Sequence, residues 1–254
     1  MTYNWKKSAI IVADIALACY LFFAVTAFNK PDDQQAVCTK VDINIKDGKV
    51  DGFLGTSEIQ DQLKQSKIYP QGQPMKQIEV RKIEEAICQN PFVESAECYK
   101  AQGGQIKIEL TQRLPVVRVK AQNGDDYYVD AHGEMMPNTR YVSDLVIATG
   151  NISRSYAKKK LSRLGNFIIQ SPLWHSQIEQ LNILDDGTVE MVPRIGDHIV
   201  YLGSPDDIQQ KLDRLEKFYR YGLSEAGWNK YSYINLEFDN QIICKKRKKG
   251  NKNI

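Results

Sequence analysis

This chain of 254 residues is poor in the signatures that catalysis needs. It has three histidines and five cysteines, and no two cysteines stand in CxxC spacing, so neither a zinc ribbon nor a thioredoxin-type centre is indicated. No G-x-x-x-x-G-K-[ST], G-x-S-x-G or G-x-G-x-x-G occurs, which leaves phosphate cradles and nucleophile elbows without a motif. Long apolar runs are absent with one exception, which excludes a multi-span transporter. Acid is absent from residues 245–254, which hold six Lys/Arg. Removing those six from the 34 basic residues leaves 28 against 31 acidic ones, so the formal +3 hides a body of net −3. A basic nucleic-acid-binding surface is not indicated. What remains is ordinary: 42% hydrophobic, 26% charged and a mean hydropathy of −0.44, a folded and mostly water-soluble protein of one large or two modest domains.

The exception is residues 8–28, SAIIVADIALACYLFFAVTAF, 21 residues with a single charge, Asp14. As a helix it is roughly 31 Å long, about the thickness of a bilayer core. Trp5, Lys6 and Lys7 precede it and Asp32 and Asp33 follow, which places residues 1–7 in the cytoplasm and the bulk outside. A cleavable signal peptide competes, with Val25-Thr26-Ala27 as its site. The run exceeds the usual apolar core of such peptides, which favours a retained anchor. Asp14 is either a polar residue tolerated near the inner interface or a hydrogen-bonding contact with another protein's membrane helix. Cys19 lies in the span. Cys38, Cys88, Cys98 and Cys244 lie outside, where disulfides are permitted, with Cys38–Cys98 the first choice and unpaired thiols the alternative.

Residues 29–38 read as a polar linker. Val41, Ile43 and Ile45 then alternate with polar residues, a half-buried strand. Ser57 and Gln60 form a capping box for a helix carrying Ile59 and Leu63. A second helix covers about 77–89, with Val80, Ile83 and Ile87 on one face, and Asn90-Pro91 stops it. Strands follow around 92–99 and at Ile106, Ile108 and Leu110, joined by Gly103-Gly104. That is β-α-α-β-β over residues 39–113, a two-layer unit with its own core. Residues 114–244 turn to strands: 116–119, 127–130 and 147–150, then a helix over 155–169. A hairpin follows around Asp185-Asp186-Gly187. Ser204 caps a helix with Pro205 first and Asp206 and Asp207 in its first turn, carrying Ile208, Leu212, Leu215, Phe218 and Tyr219. One last strand is expected from 231 to 244, with Ile234, Leu236 and Phe238 in the core and Tyr233, Asn235 and Glu237 on the other face. The fold class is α+β, with a single N-terminal transmembrane helix, and residues 245–254 are a solvated basic tail.

Few side chains offer chemistry. Ser155 and Lys158 fit S-x-x-K without the partner motifs of penicillin-binding proteins. Asp130, His132 and Glu134 alternate near a turn and read as turn polarity rather than a metal site. His175 and Glu179 lack an HExxH frame. No catalytic residue, metal or cofactor is expected.

Four phrases carry a resemblance: NPFVESA at 90–96, QRLPVV at 112–117, YYVDAHGE at 127–134 and YINLEFD at 233–239. With the short N-terminus, one span, β-α-α-β-β unit and strand-rich region, the chain resembles the FtsQ/DivIB family of bacterial division proteins. The resemblance implies a POTRA domain and a β domain in a non-catalytic protein of the cytoplasmic membrane at the division septum. It further implies partners of the FtsB and FtsL kind and the septal cell-wall synthesis complex, an extended FtsB segment adding beside a strand near the C-terminus. The matching residues are Tyr233, Ile234, Asn235, Leu236, Glu237 and Phe238, with Tyr233 at an aromatic contact position. The sequence departs after Asp239: residues 240–244 run into the basic tail and no matching Trp is present. An anchored POTRA-containing export factor is the alternative, although such proteins usually carry several POTRA units. An anchored cell-wall enzyme is a third reading and lacks a catalytic constellation.

Overall fold

The computed structural model describes residues 5–28, 36–46, 54–139 and 144–247. Most of the expected linker and residues 248–254 of the tail lie outside the described residues. A long helix, α1 (Trp5–Phe28), comes first. Its described side chains run from Ile11 to Val25 and nearly all are exposed, including Ile11, Ile15, Leu21 and Phe22. That stretch is shorter than a bilayer crossing. Among the described residues no helix is long and apolar enough to cross a membrane.

The remaining chain divides into two compact units, built mainly on residues up to 111 and from 112 onward. The first has β1 (Lys40–Ile45), α2 (Thr56–Gln65), α3 (Val80–Cys88), β2 (Val93–Ala101) and β3 (Gln105–Gln112). Its sheet has the order β1-β3-β2, with β1 parallel to β3 and Val41 opposite Ile106. Alternation decides the faces. Ile106, Ile108 and Leu110 are fully buried, as are Ile59 and Leu63 of α2 and Ile87 of α3, so two amphipathic helices cover one face of the sheet. Helix α2 already contains Ser57, so the expected cap at that residue is displaced by the helix starting at Thr56. Cys38 and Cys98 are both buried there as free thiols, so the favoured disulfide is not formed. Burial first, then the Glu84 carboxylate and Cys38, push the Cys98 thiol up to about 12.

The second unit is a nine-stranded sheet: β4 (Pro115–Ala121), β5 (Asp126–Asp130), β6 (Met135–Pro137), β7 (Ile147–Gly150), β8 (Ile178–Ile183), β9 (Val189–Pro193), β10 (Ile199–Gly203), β11 (Tyr231–Asn235) and β12 (Ile243–Lys246). Their order is β12-β11-β10-β9-β8-β7-β4-β5-β6. Two crossovers join parallel neighbours. Between β7 and β8 run α4 (Arg154–Tyr156), a π turn at Ala157–Leu161, α5 (Ser162–Gln170) and α6 (Pro172–Gln177). Between β10 and β11 run α7 (Ile208–Lys217), a π turn at Phe218–Leu223 and α8 (Ser224–Ala226). Both crossovers start from strands of one direction and step the same way along the sheet, so their common right hand lays both helical segments on one face. A single core cluster unites Leu161, Leu164, Ile168, Leu212 and Leu215 with Val117, Ala148, Leu181, Met191, Val200, Ile234 and Leu236. Gly165 permits the close approach of α5: a Cβ there would stand 2.9 Å from the Val116 carbonyl oxygen.

The opposite face has no helix layer among the described residues and carries a polar ladder instead. Gln180 Nε2 donates to Thr149 Oγ1 (2.8 Å), and Asn182 Nδ2 donates to Glu190 Oε2 (3.3 Å). Tyr233 stacks on Tyr201 with centroids 6.1 Å apart.

Three sequence expectations are corrected here. Helix α7 starts at Ile208 with Asp207 in the left-handed region (φ 56°) as its cap, so Ser204 does not cap it. The Ser204 carbonyl instead accepts a bond from the Lys211 ammonium (2.7 Å). The strand expected over 231–244 is two strands. Asn235 Oδ1 accepts the Glu237 N–H (2.8 Å), Asn240 takes φ 60°, and the chain returns antiparallel as β12. Phe238 therefore falls in the turn and is 45% exposed, whereas Ile234 and Leu236 are buried as expected. Lys245 and Lys246, read as the start of the tail, belong to the sheet.

Candidate functional site: the free edge of the large sheet

The candidate chemistry of the sequence resolves into structure. Asp130 accepts the N–H groups of His132 (2.9 Å) and Glu134 (2.7 Å) and pairs with Arg113 Nη1 (2.6 Å), fixing the turn that leads into β6. Lys158 pairs with Glu134 (3.0 Å), Glu179 with Arg194 (2.9 Å), and His175 Nε2 lies 2.9 Å from the Asp144 carbonyl oxygen. Among the described residues no cluster of three His, Cys, Asp or Glu side chains could hold a metal ion. Asp14 sits on α1.

What the sheet does offer is an edge. β12 lies at the end of the strand order and pairs only with β11, placing Asn235 opposite Ile243, Ile234 opposite Cys244 and Tyr233 opposite Lys245. Its outer row of backbone N–H and C=O groups has no ladder partner among the described residues, the condition for adding a strand. Ile243 is 49% exposed. Arg214 of α7 aims this edge: Nη2 donates to the carbonyls of Leu236 (2.8 Å) and Phe238 (3.3 Å), clamping the turn between β11 and β12 to the helix. Beside the turn an open groove of about 490 Å³ is lined by Arg214, Lys217, Phe218, Tyr221, Gly222 and residues 240–242. Tyr221 is 73% exposed at its rim.

The Tyr233–Phe238 residues thus stand one strand behind the edge. β11 is flanked by β10 and β12, so Tyr233 cannot present an edge backbone. Its ring lies on the open face, its hydroxyl 3.4 Å from Glu190 Oε1. Burial and the neighbouring Glu190 carboxylate push that phenol up to about 12. Asn235 holds the turn, and Glu237 and Phe238 are exposed on it. Sequence reading missed β12 and Arg214; the Asp239-Asn240 pair between apolar stretches was the available turn signal.

A two-layer β-α-α-β-β unit, followed by a nine-stranded sheet covered by helices on one face and free on the outer side of its last strand among the described residues, defines a two-domain α+β protein. Residues 36–111 match the POTRA-like domain family and residues 114–245 match the family described as FtsQ/DivIB, C-terminal related. The chain belongs to the FtsQ/DivIB family. It is 26% identical over 188 residues to a protein of Geotalea daltonii (strain DSM 22248 / JCM 15807 / FRC-32) described as Cell division protein FtsQ. That match covers 69% of this chain and 66% of the relative, just under two thirds of the relative's length.

Proposed function

We propose that this protein is a non-catalytic scaffold of bacterial cell division. Residues 8–28 anchor it in the cytoplasmic membrane, residues 1–7 remain in the cytoplasm, and the two units stand outside at the septum. FtsB- and FtsL-like division proteins are its partners, captured by strand addition. Family membership supports the division role, and the 21-residue apolar run supports the anchor. The observation that carries the docking reading is the unpaired outer side of β12, aimed by Arg214 at the end of the nine-stranded sheet. Tyr233–Phe238 then serve as the strand and turn on which the docking edge is laid, and Asp14 as a contact within the bilayer.

Titration of the anchored protein with an FtsB-like partner tests this. Cys244→Pro and Lys245→Pro each delete a backbone N–H of β12 and should weaken capture at least tenfold in one of the two variants, with the thermal melt of the second unit kept. Unchanged capture by both would sink the docking site. A reporter active only outside the cytoplasm, fused after Ile254, should be active. Silence there would sink the topology.

A further inference from the structure

We infer that the segment received by β12 is an acidic strand, one that carries carboxylates beside its pairing residues. This inference rests on β12 being the docking edge. Four residues form that strand, and two of them, Lys245 and Lys246, are adjacent, exposed lysines. Successive side chains of a strand project to opposite faces, so a cation guards each face of the edge. Neither lysine has an ion-pair partner among the described residues, nor does Lys230, exposed and lying over the Tyr231 ring. Among nearby carboxylates Asp197 pairs with Arg247 (3.5 Å), Asp239 with Arg214 (3.8 Å) and Glu216 with Arg220 (2.7 Å), while Glu190, bonded to Tyr233 and Asn182, and the exposed Glu237 pair with neither lysine among the described residues. Asp239 is the last acid in the chain, and six Lys/Arg follow it.

Lysine on an edge strand ordinarily protects against indiscriminate pairing, because an approaching strand must bury or displace an ammonium group. The same guard turns into selection when the incoming strand supplies opposite charge. Cross-strand ion pairs then form where like charges would repel, and discrimination comes as much from the rejected strands as from the accepted one. Salt screening follows, since the pairs are exposed and the Debye length shortens as ionic strength rises.

The test uses the full chain in phosphatidylcholine nanodiscs and three nine-residue probe peptides. All share one alternating Val/Thr/Tyr frame and carry Glu, Gln or Lys at the same positions. The Glu peptide should bind at least tenfold more tightly than the Gln peptide, the Lys peptide more weakly than either, and the gap should shrink between 50 and 500 mM salt. The double substitution Lys245→Glu/Lys246→Glu should invert the order. Equal binding of all three peptides, each weakened by Cys244→Pro, whose N–H faces away from β11, would overturn the charge selection and leave the docking edge standing. A Glu preference kept in the charge-reversed protein would move the selection to residues 248–254 and also overturn it. Equal peptide binding with charge-dependent attachment to phosphatidylglycerol vesicles would assign the lysines to lipid instead. Binding of no peptide, with a partner still captured by Cys244→Pro, would remove the docking edge itself.

Discussion

The two ends of the large sheet are built by similar means and finish differently. At one end β6 is three residues long and closes on Pro137, which has no N–H to offer another strand. Its entry turn is tied down by Asp130, 3% exposed, and Arg113. Beside it Asn138 Nδ2 donates to Asp126 Oδ2 (2.9 Å), and Asp126 is held below the usual carboxylate range by its bond to Arg118. At the other end β12 ends in lysines, and its turn hangs from the part-exposed Arg214. A buried clamp with a proline stop closes one edge; a surface clamp with a charged stop leaves the other without a proline block, the edge we propose for docking.

The largest effect that would sharpen this contrast is at the closed end. Arg113→Ala leaves the Asp130 carboxylate buried without its cation and should cost about 3–5 kcal/mol of folding, read by denaturant titration. A loss under 1 kcal/mol would mean the clamp is dispensable. At the open end Leu236→Ala should cost about 2–5 kcal/mol, because a fully buried side chain is removed beneath the turn. Arg214→Ala should cost about 1.5–3 kcal/mol, the usual worth of hydrogen bonds from a charged donor, and weaken partner capture along with it. If Arg214→Ala melts early yet binds as well as the parent, the clamp does not aim the edge.

A smaller effect concerns acid. His198, 2% exposed, lies with Nε2 2.8 Å from Tyr219 Oη, and its Nδ1 has no hydrogen-bond partner. Burial lowers its pKa, Arg247 lowers it further, and Asp197 opposes them. A depressed folded pKa means the unfolded chain takes the proton first. Stability should therefore be full above the unfolded value of about 6.5 and fall as pH drops from there toward the lower folded value. Melts of the parent and of His198→Phe between pH 7.5 and 5 check it; parallel curves would dismiss the histidine. The smallest effect is Phe238→Ala, expected within about 0.5 kcal/mol because the ring is in an exposed turn. A loss near 3 kcal/mol would return Phe238 to the core.

Much of this architecture was legible because period and turn chemistry agreed. Ile106, Ile108 and Leu110 alternate and are all buried, and Asp185-Asp186-Gly187 joins β8 to β9 where a hairpin was expected. The edge was not legible, for a reason visible in Leu236. Its N–H still bonds the Tyr201 carbonyl (2.9 Å) after β11 has ended, so the apolar period of Ile234 and Leu236 outlives the strand by one residue. Phe238 extends that period by coincidence. The lysines of β12 carried no apolar period at all, since an edge strand with exposed sides has little to bury. At Ser204 the cap signal was sound in composition, but Asp207 could take the left-handed conformation and delay the helix.

The order of strands also has a consequence in time. From β7 to β12 each new strand joins the side of the one just made, so the sheet lengthens in the direction in which the chain is synthesised and emerges. The edge proposed for docking, β12, is the last of the nine strands of this sheet in chain order. A chain halted before residue 241 would end its sheet at β11 and offer Tyr231–Asn235, a row without lysine, where the finished molecule offers Ile243–Lys246. Capture at β12 would thus double as a check that the whole domain has arrived.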